Sequence, residues 1–144
     1  MTDIFVSAVI PASVARVWGV IRDFNAMPAW HPLIAESRIE TGAPSDAIGC
    51  VRDFTLTDGS RIREQLLSLS DSEHSFSYAI LESELPLRDY TAGVRLRPIT
   101  DGDATYASWW ARFTCPPDRE RELIDLVSQQ VFQAGFTALQ SRFA

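Results

Sequence analysis

Few side chains in this chain have the type and spacing to do chemistry at an internal site. Arg52 and Glu64 stand on consecutive amphipathic segments, and Tyr78 and Tyr90 follow on the next two. A carboxylate among apolar neighbours can orient a hydroxyl or exchange a proton, and a guanidinium can fix a ligand carboxylate or enol oxygen. The same two groups can instead satisfy each other as a partly buried cross-strand ion pair. Tyr78 and Tyr90 either pack with satisfied hydroxyls or meet a ligand with them. Other chemistries lack their parts. Ser13, Ser60, Ser68, Cys50 and Cys115 have no adjacent base in any recognisable arrangement, so nucleophilic catalysis has no support. His31 and His74 are too few for a metal site, and no metal or other cofactor is expected.

Bulk properties narrow the class. The 144 residues suit one domain, residues 1–144, with 46% hydrophobic and 22% charged residues. A net charge of −6 argues against a nucleic-acid partner, whose phosphates need clustered Lys and Arg. The start, MTDIFVSAVI, lacks the basic region of a secretory signal, and no apolar run is long enough to insert in a membrane. Isolated cysteines without CxxC spacing fit a reducing compartment, so a cytoplasmic location is expected.

The elements that must position these groups follow from periodicity. A first strand covers about residues 4–10, and Ser13 is set to cap a helix over VARVWGVIRD. Val14, Val17, Trp18 and Ile21 form its buried face. The stretch FNAMPAWHP then crowds two prolines, a tryptophan and a histidine where neither helix nor strand can continue. Asn25 is expected to cap one short turn there. Period-two patterning then gives strands near 33–40, 49–56, 61–69, 74–82, 89–98 and 104–114, and a helix over 118–142 closes the chain. That helix would be about 37 Å long at 1.5 Å per residue.

Register between the third and fourth strands follows from the faces. Phe54 and Leu56 share a side with Arg52, and Ile62 and Leu66 share one with Glu64. A two-residue loop would set Arg63 beside Phe54. A three-residue loop, Thr57-Asp58-Gly59 with Gly59 left-handed, pairs Phe54 with Ile62, Asp53 with Arg63 and Arg52 with Glu64. The opposite faces, carrying Asp53, Arg61 and Arg63, read as solvated. Further along, Phe76, Tyr78 and Ile80 share a side, as do Tyr90, Ala92 and Val94, and Ala107, Trp109 and Ala111. One long helix must cover this aromatic face. Its expected inward stripe is Leu123, Val127, Val131, Ala134 and Ala138, small toward the end, with Gly135 nearby. Such a stripe over a wide curved sheet predicts an unfilled apolar space.

In this order of elements, and in VIPASVARVWGVIRDFNAMPAWHP, VRDFTLTDGSRIREQLLSL, SFSYAILESELPLRDYTA, WWARF and QAGFTALQSRF, the chain resembles the START-like or SRPBCC superfamily. Within it the chain is most similar to the polyketide cyclase/dehydrase and lipid-transport group, on the branch that holds the abscisic-acid receptors. The resemblance implies an α+β helix-grip fold: a seven-stranded antiparallel sheet wrapped around a long C-terminal helix, with two short helices closing one end. It implies a cavity between sheet and helix, with Trp30 plugging the end of the cavity or core. His31 either lines that cavity or, as its loop position favours, stands at the rim or in solvent. Glu64 and Tyr90 match cavity positions of the receptors. Their anchoring lysine falls at Ala35, their gate loop is shortened to LTDGS, and their latch reads Leu85-Pro86-Leu87. The polar helix residue facing their ligand corresponds to Gly135, so hormone sensing by gate and latch is not expected.

The leading expectation is a carrier or binding protein for a small hydrophobic ligand, aromatic, polyketide- or lipid-like. Its site would be lined by Trp30, Arg52, Phe54, Leu56, Ile62, Glu64, Tyr78, Tyr90, Trp109, Val127, Val131 and Gly135. A second reading is a cyclase or dehydratase with Glu64 as its catalytic acid–base group, positioning supplying much of the rate. A third is an interaction module. Tyr106 and Trp110, on the other face, would then form a patch for a protein partner or a homodimer.

Overall fold

The computed structural model describes residues 1–144. Strand β1 (Thr2–Ile10) leads through Pro11 into helix α1 (Val14–Ile21), whose Ser13 cap accepts the Arg16 backbone N–H. Val14, Val17, Trp18 and Ile21 are its buried residues, the face that the spacing predicts. A single turn, α2 (Met27–Trp30), carries the chain around the corner. Asn25 does not cap it. Its side-chain oxygen instead accepts the Ser37 hydroxyl, tying the corner to the next strand. Strands β2 (Ile34–Ile39), β3 (Val51–Leu56), β4 (Arg61–Ser70), β5 (Ser75–Ser83), β6 (Arg88–Pro98) and β7 (Thr105–Thr114) follow. They form one antiparallel sheet in the order β1-β7-β6-β5-β4-β3-β2.

The β3–β4 hairpin has the register the faces demand. Phe54 lies opposite Ile62, Asp53 opposite Arg63 and Arg52 opposite Glu64. Gly59 takes a φ of 91°, which the left-handed bulge of a three-residue loop requires. The outer face departs from expectation in one respect. Asp53 is buried rather than solvated, because Arg38 and Arg61 fold over it from either side. Its cross-strand neighbour Arg63 turns away to Glu40 and Glu82.

The last helix, α3, runs through Glu120–Asp125 and Ala134–Arg142 as α-helix, but Leu126–Gln133 between them is π-helical. A π turn spends an extra residue, which rotates everything after it relative to a regular helix. The inward residues are therefore Leu123, Val127, Phe132, Phe136 and Leu139. The expected Val131, Ala134 and Ala138 are only half-buried. This correction changes what fills the interior: Phe132 and Phe136 take the places expected for Ala134 and Ala138, while half-buried Val131 keeps an edge of it. Phe132 stacks on Trp109 of β7, centroids 4.4 Å apart and planes 13° from parallel.

Candidate functional site

The concave face of the sheet and the middle of α3 enclose a small apolar space. From β3 and β4 it receives Phe54, Leu56, Ile62 and Glu64; from β5 to β7, Tyr78, Ile80, Tyr90 and Trp109. Met27 of α2, Ile34 of β2, Leu85 and Leu87 of the β5–β6 loop, and Leu126, Val127 and Val131 of α3 complete it. The space open to the centre of a water-sized sphere is about 40 Å³, room for about three waters. A second void of about 10 Å³, reached by Trp30 and Arg52, lies across Met27 and Trp109, which border both. The interior is thus more filled than the sequence implies, because the π turn brings Phe132 and Phe136 inward.

At the floor Arg52 and Glu64 form a fully internal pair. Nε and Nη2 of Arg52 both donate to Glu64 Oε1, at 3.0 and 2.7 Å, and Nη1 donates to the Phe24 carbonyl at 3.0 Å. The guanidinium lies over the Phe24 ring, 3.8 Å from its centroid, and within 4.9 Å of that of Tyr78. No protein donor reaches Glu64 Oε2, although its carboxyl lines the space. Burial pushes the Glu64 carboxyl up from the usual range, against the pull of Arg52. Above the pair, Tyr78 accepts the Trp109 indole N–H at 3.0 Å. Burial holds the Tyr78 and Tyr90 hydroxyls well above the ordinary phenol range, so both stay protonated.

Nine of the twelve residues singled out from sequence border the larger space: Phe54, Leu56, Ile62, Glu64, Tyr78, Tyr90, Trp109, Val127 and Val131. Trp30 and Arg52 border the smaller void instead. Gly135 borders neither. A Cβ there would sit 2.9 Å from both the His31 ring and Trp109, so the glycine lets the helix approach them. His31 is not at a rim: it is 1% exposed, pinned between sheet and helix. Its Nε2–H donates to the Val131 carbonyl at 2.7 Å, and its Nδ1 accepts the Leu33 N–H at 3.1 Å. Sequence reading left Met27, Ile34, Leu85, Leu87 and Leu126 out of the site, and it did not place His31, Phe132 and Phe136 in the interior. The spacing of Phe132, Phe136 and Leu139 is itself an amphipathic stripe, and its offset of five from Val127 was the available signal of the π turn.

No group of three His, Cys, Asp or Glu side chains is placed to hold a metal ion, and both cysteines are free thiols. No helix is long and apolar enough to cross a membrane. On the outer face Phe5 pairs with Trp110 and Val9 with Tyr106, all four exposed.

Residues 1–144 match the family described as polyketide cyclase / dehydrase and lipid transport. The chain belongs to that family. Its SRPBCC helix-grip architecture recurs in solved structures. The XoxI protein of Bacillus cereus is 28% identical, with a TM-score of 0.89 over 99% of this chain and 96% of that one. A Thermobifida fusca protein is 27% identical, with a TM-score of 0.88 over 99% and 93%. Norcoclaurine synthase of Thalictrum flavum is 14% identical, with a TM-score of 0.76 over 98% and 85%, a likeness of fold alone.

Proposed function

We propose that this family member binds a small hydrophobic molecule between the sheet and α3. The observation that carries the reading is a buried ion pair opening on an otherwise apolar space. Of the fifteen side chains around that space fourteen are hydrophobic, and Glu64 alone is charged. A core built only for stability gains nothing from such a pair, which apolar residues of similar volume often match or better. Family membership supports a ligand-binding interior in the same direction.

At about 40 Å³ the space must widen to take an organic molecule, since drug-sized pockets span roughly 300–1,000 Å³. Two borders are suited to yield. Met27, an unbranched thioether, separates the larger space from the smaller, so its rotation would join them. Leu85 and Leu87 come from the short irregular loop between β5 and β6, and just beyond it, within the irregular start of β6, Asp89 adopts a φ of 50°. Carriage rather than catalysis is favoured because Arg52, the one internal cation, is committed to Glu64 and the Phe24 carbonyl. The cyclase or dehydratase alternative would need Glu64 to exchange protons with substrate.

Trp109 and Trp30 border the interior and report on it. Titration with naphthalene should change tryptophan fluorescence saturably, and Val131→Phe, which narrows the larger space, should weaken binding. A flat titration across naphthalene, decane and larger aromatic hydrocarbons would defeat the binding proposal.

A further inference from the structure

The internal pair is asymmetric in a way that bears on ligand class. Both Arg52 nitrogens that reach Glu64 donate to Oε1, and the third donates to the Phe24 carbonyl, which occupies three of the five guanidinium N–H groups. The guanidinium is also covered by the Phe24 and Tyr78 rings, and it borders the smaller void rather than the larger space. What faces the larger space is the carboxylate with one oxygen, Oε2, that no protein donor reaches. Oε2 is not walled off by protein, so it can accept a donor from whatever occupies the space, whereas the unpartnered buried atom nearby, Trp30 Nε1, lies on the side of the smaller void. Tyr78 is a neutral and weaker acceptor, and its oxygen already receives the Trp109 N–H.

We infer that the interior selects a neutral apolar molecule carrying a hydroxyl, which donates to Glu64 Oε2, and rejects carboxylates such as fatty acids. This rests on the interior being a binding site. The charge argument is direct. Arg52 and Glu64 already neutralise each other, so a ligand anion would bring an unpaired charge into an apolar enclosure and set it against the exposed oxygen of Glu64. A ligand cation would likewise arrive in excess. A neutral hydroxyl adds a hydrogen bond to a charged acceptor without changing the net charge of the interior.

Four probes of one shape test this: naphthalene, 2-methoxynaphthalene, 2-naphthol and 2-naphthoate, each titrated at pH 7 by tryptophan fluorescence and calorimetry. The expected order places 2-naphthol about 10- to 100-fold tighter than 2-methoxynaphthalene, the worth of a hydrogen bond to a charged acceptor. 2-Naphthoate should be the weakest of the four. In the double variant Arg52→Met/Glu64→Met the naphthol-to-methoxynaphthalene ratio should fall close to one. In Glu64→Gln, where Arg52 lacks its counter-charge, the rank of 2-naphthoate should rise. Equal affinity for 2-naphthol and 2-methoxynaphthalene in the wild-type protein, or 2-naphthoate as the tightest probe, overturns the inference while leaving ligand binding intact. Failure of all four, naphthalene included, removes both together. The wild-type comparison decides the matter even if a variant does not fold.

Discussion

Truncation of Phe132 tests the register of α3 and the filling of the interior at once. Phe132 is fully buried and stacked on Trp109. Phe132→Ala loses the transfer energy of the ring, its stacking of about 0.5–1.5 kcal/mol, and packing around the void left behind. Buried Phe→Ala changes of this kind cost about 3–5 kcal/mol in all. For a chain of this size each kcal/mol moves Tm by about 3 °C, so a fall of about 10–15 °C is expected. The measurement is a urea titration with Val131→Ala beside it. Val131 is half-buried, so its truncation should cost under about 1.5 kcal/mol. Benzene should then recover part of the Phe132→Ala loss by entering the ring-shaped void, about 2.7 kcal/mol at 100 times its Kd. Were α3 a regular helix, Val131 would turn from the edge of the interior fully inward with Ala134 and Ala138, and Phe132 would be outside. The ranking would then reverse, with Phe132→Ala within about 0.5 kcal/mol of wild type, and the account of the interior given above would fall.

Two further outcomes are expected. Arg52→Met and Glu64→Met should each cost about 3–5 kcal/mol by stranding a buried charge, whereas the double variant should lie within about 1 kcal/mol of wild type. A urea-denaturation cycle in which the two losses simply add would show that the pair is not coupled. His31 gives a pH dependence: burial lowers its pKa from the ordinary 6.5, with Arg52 adding to the lowering and the Val131 carbonyl opposing it. The unfolded chain therefore binds the proton first as pH drops. Stability from this site is complete above about 6.5 and declines as pH falls through the lowered value, with a slope of up to about 1.4 kcal/mol per pH unit. Protonation would also place an N–H on Nδ1 facing the Leu33 N–H. The slope should flatten in His31→Gln, and an unchanged slope in that variant would assign the dependence elsewhere.

Much of the architecture was legible because local signals agreed with one another. The α1 face, the Thr57-Asp58-Gly59 loop and the pairing of Arg52 with Glu64 followed from side-chain alternation and one left-handed glycine. Alternation also put Tyr78, Tyr90 and Trp109 on the concave side. What escaped depends on distance in the chain. The π turn shows only as a mismatch of phase between two halves of α3, and regular periodicity smooths over it. His31 looked solvent-facing because a loop position says nothing of the helix, a hundred residues later in the chain, that covers it. Asp53 looked solvated because strand alternation places it outside, yet two arginine side chains long enough to fold back cover it. The commitment of the Arg52 donors needed coordinates, since spacing can pair two residues without saying which oxygen receives the bonds.

The π stretch ties interior shape to chain length. Between Val127 and Phe132 the helix uses five residues where its flanks use four or three, so the set of groups inside is a matter of counting. Removing one codon from the solvent side, at Gln129 or Gln130, would let an ordinary turn present the same two phenylalanines. Removing the irregularity without the codon would hand the interior to valine and alanine. A change of one residue in this stretch thus rotates a different set of side chains into the interior and leaves the sheet untouched.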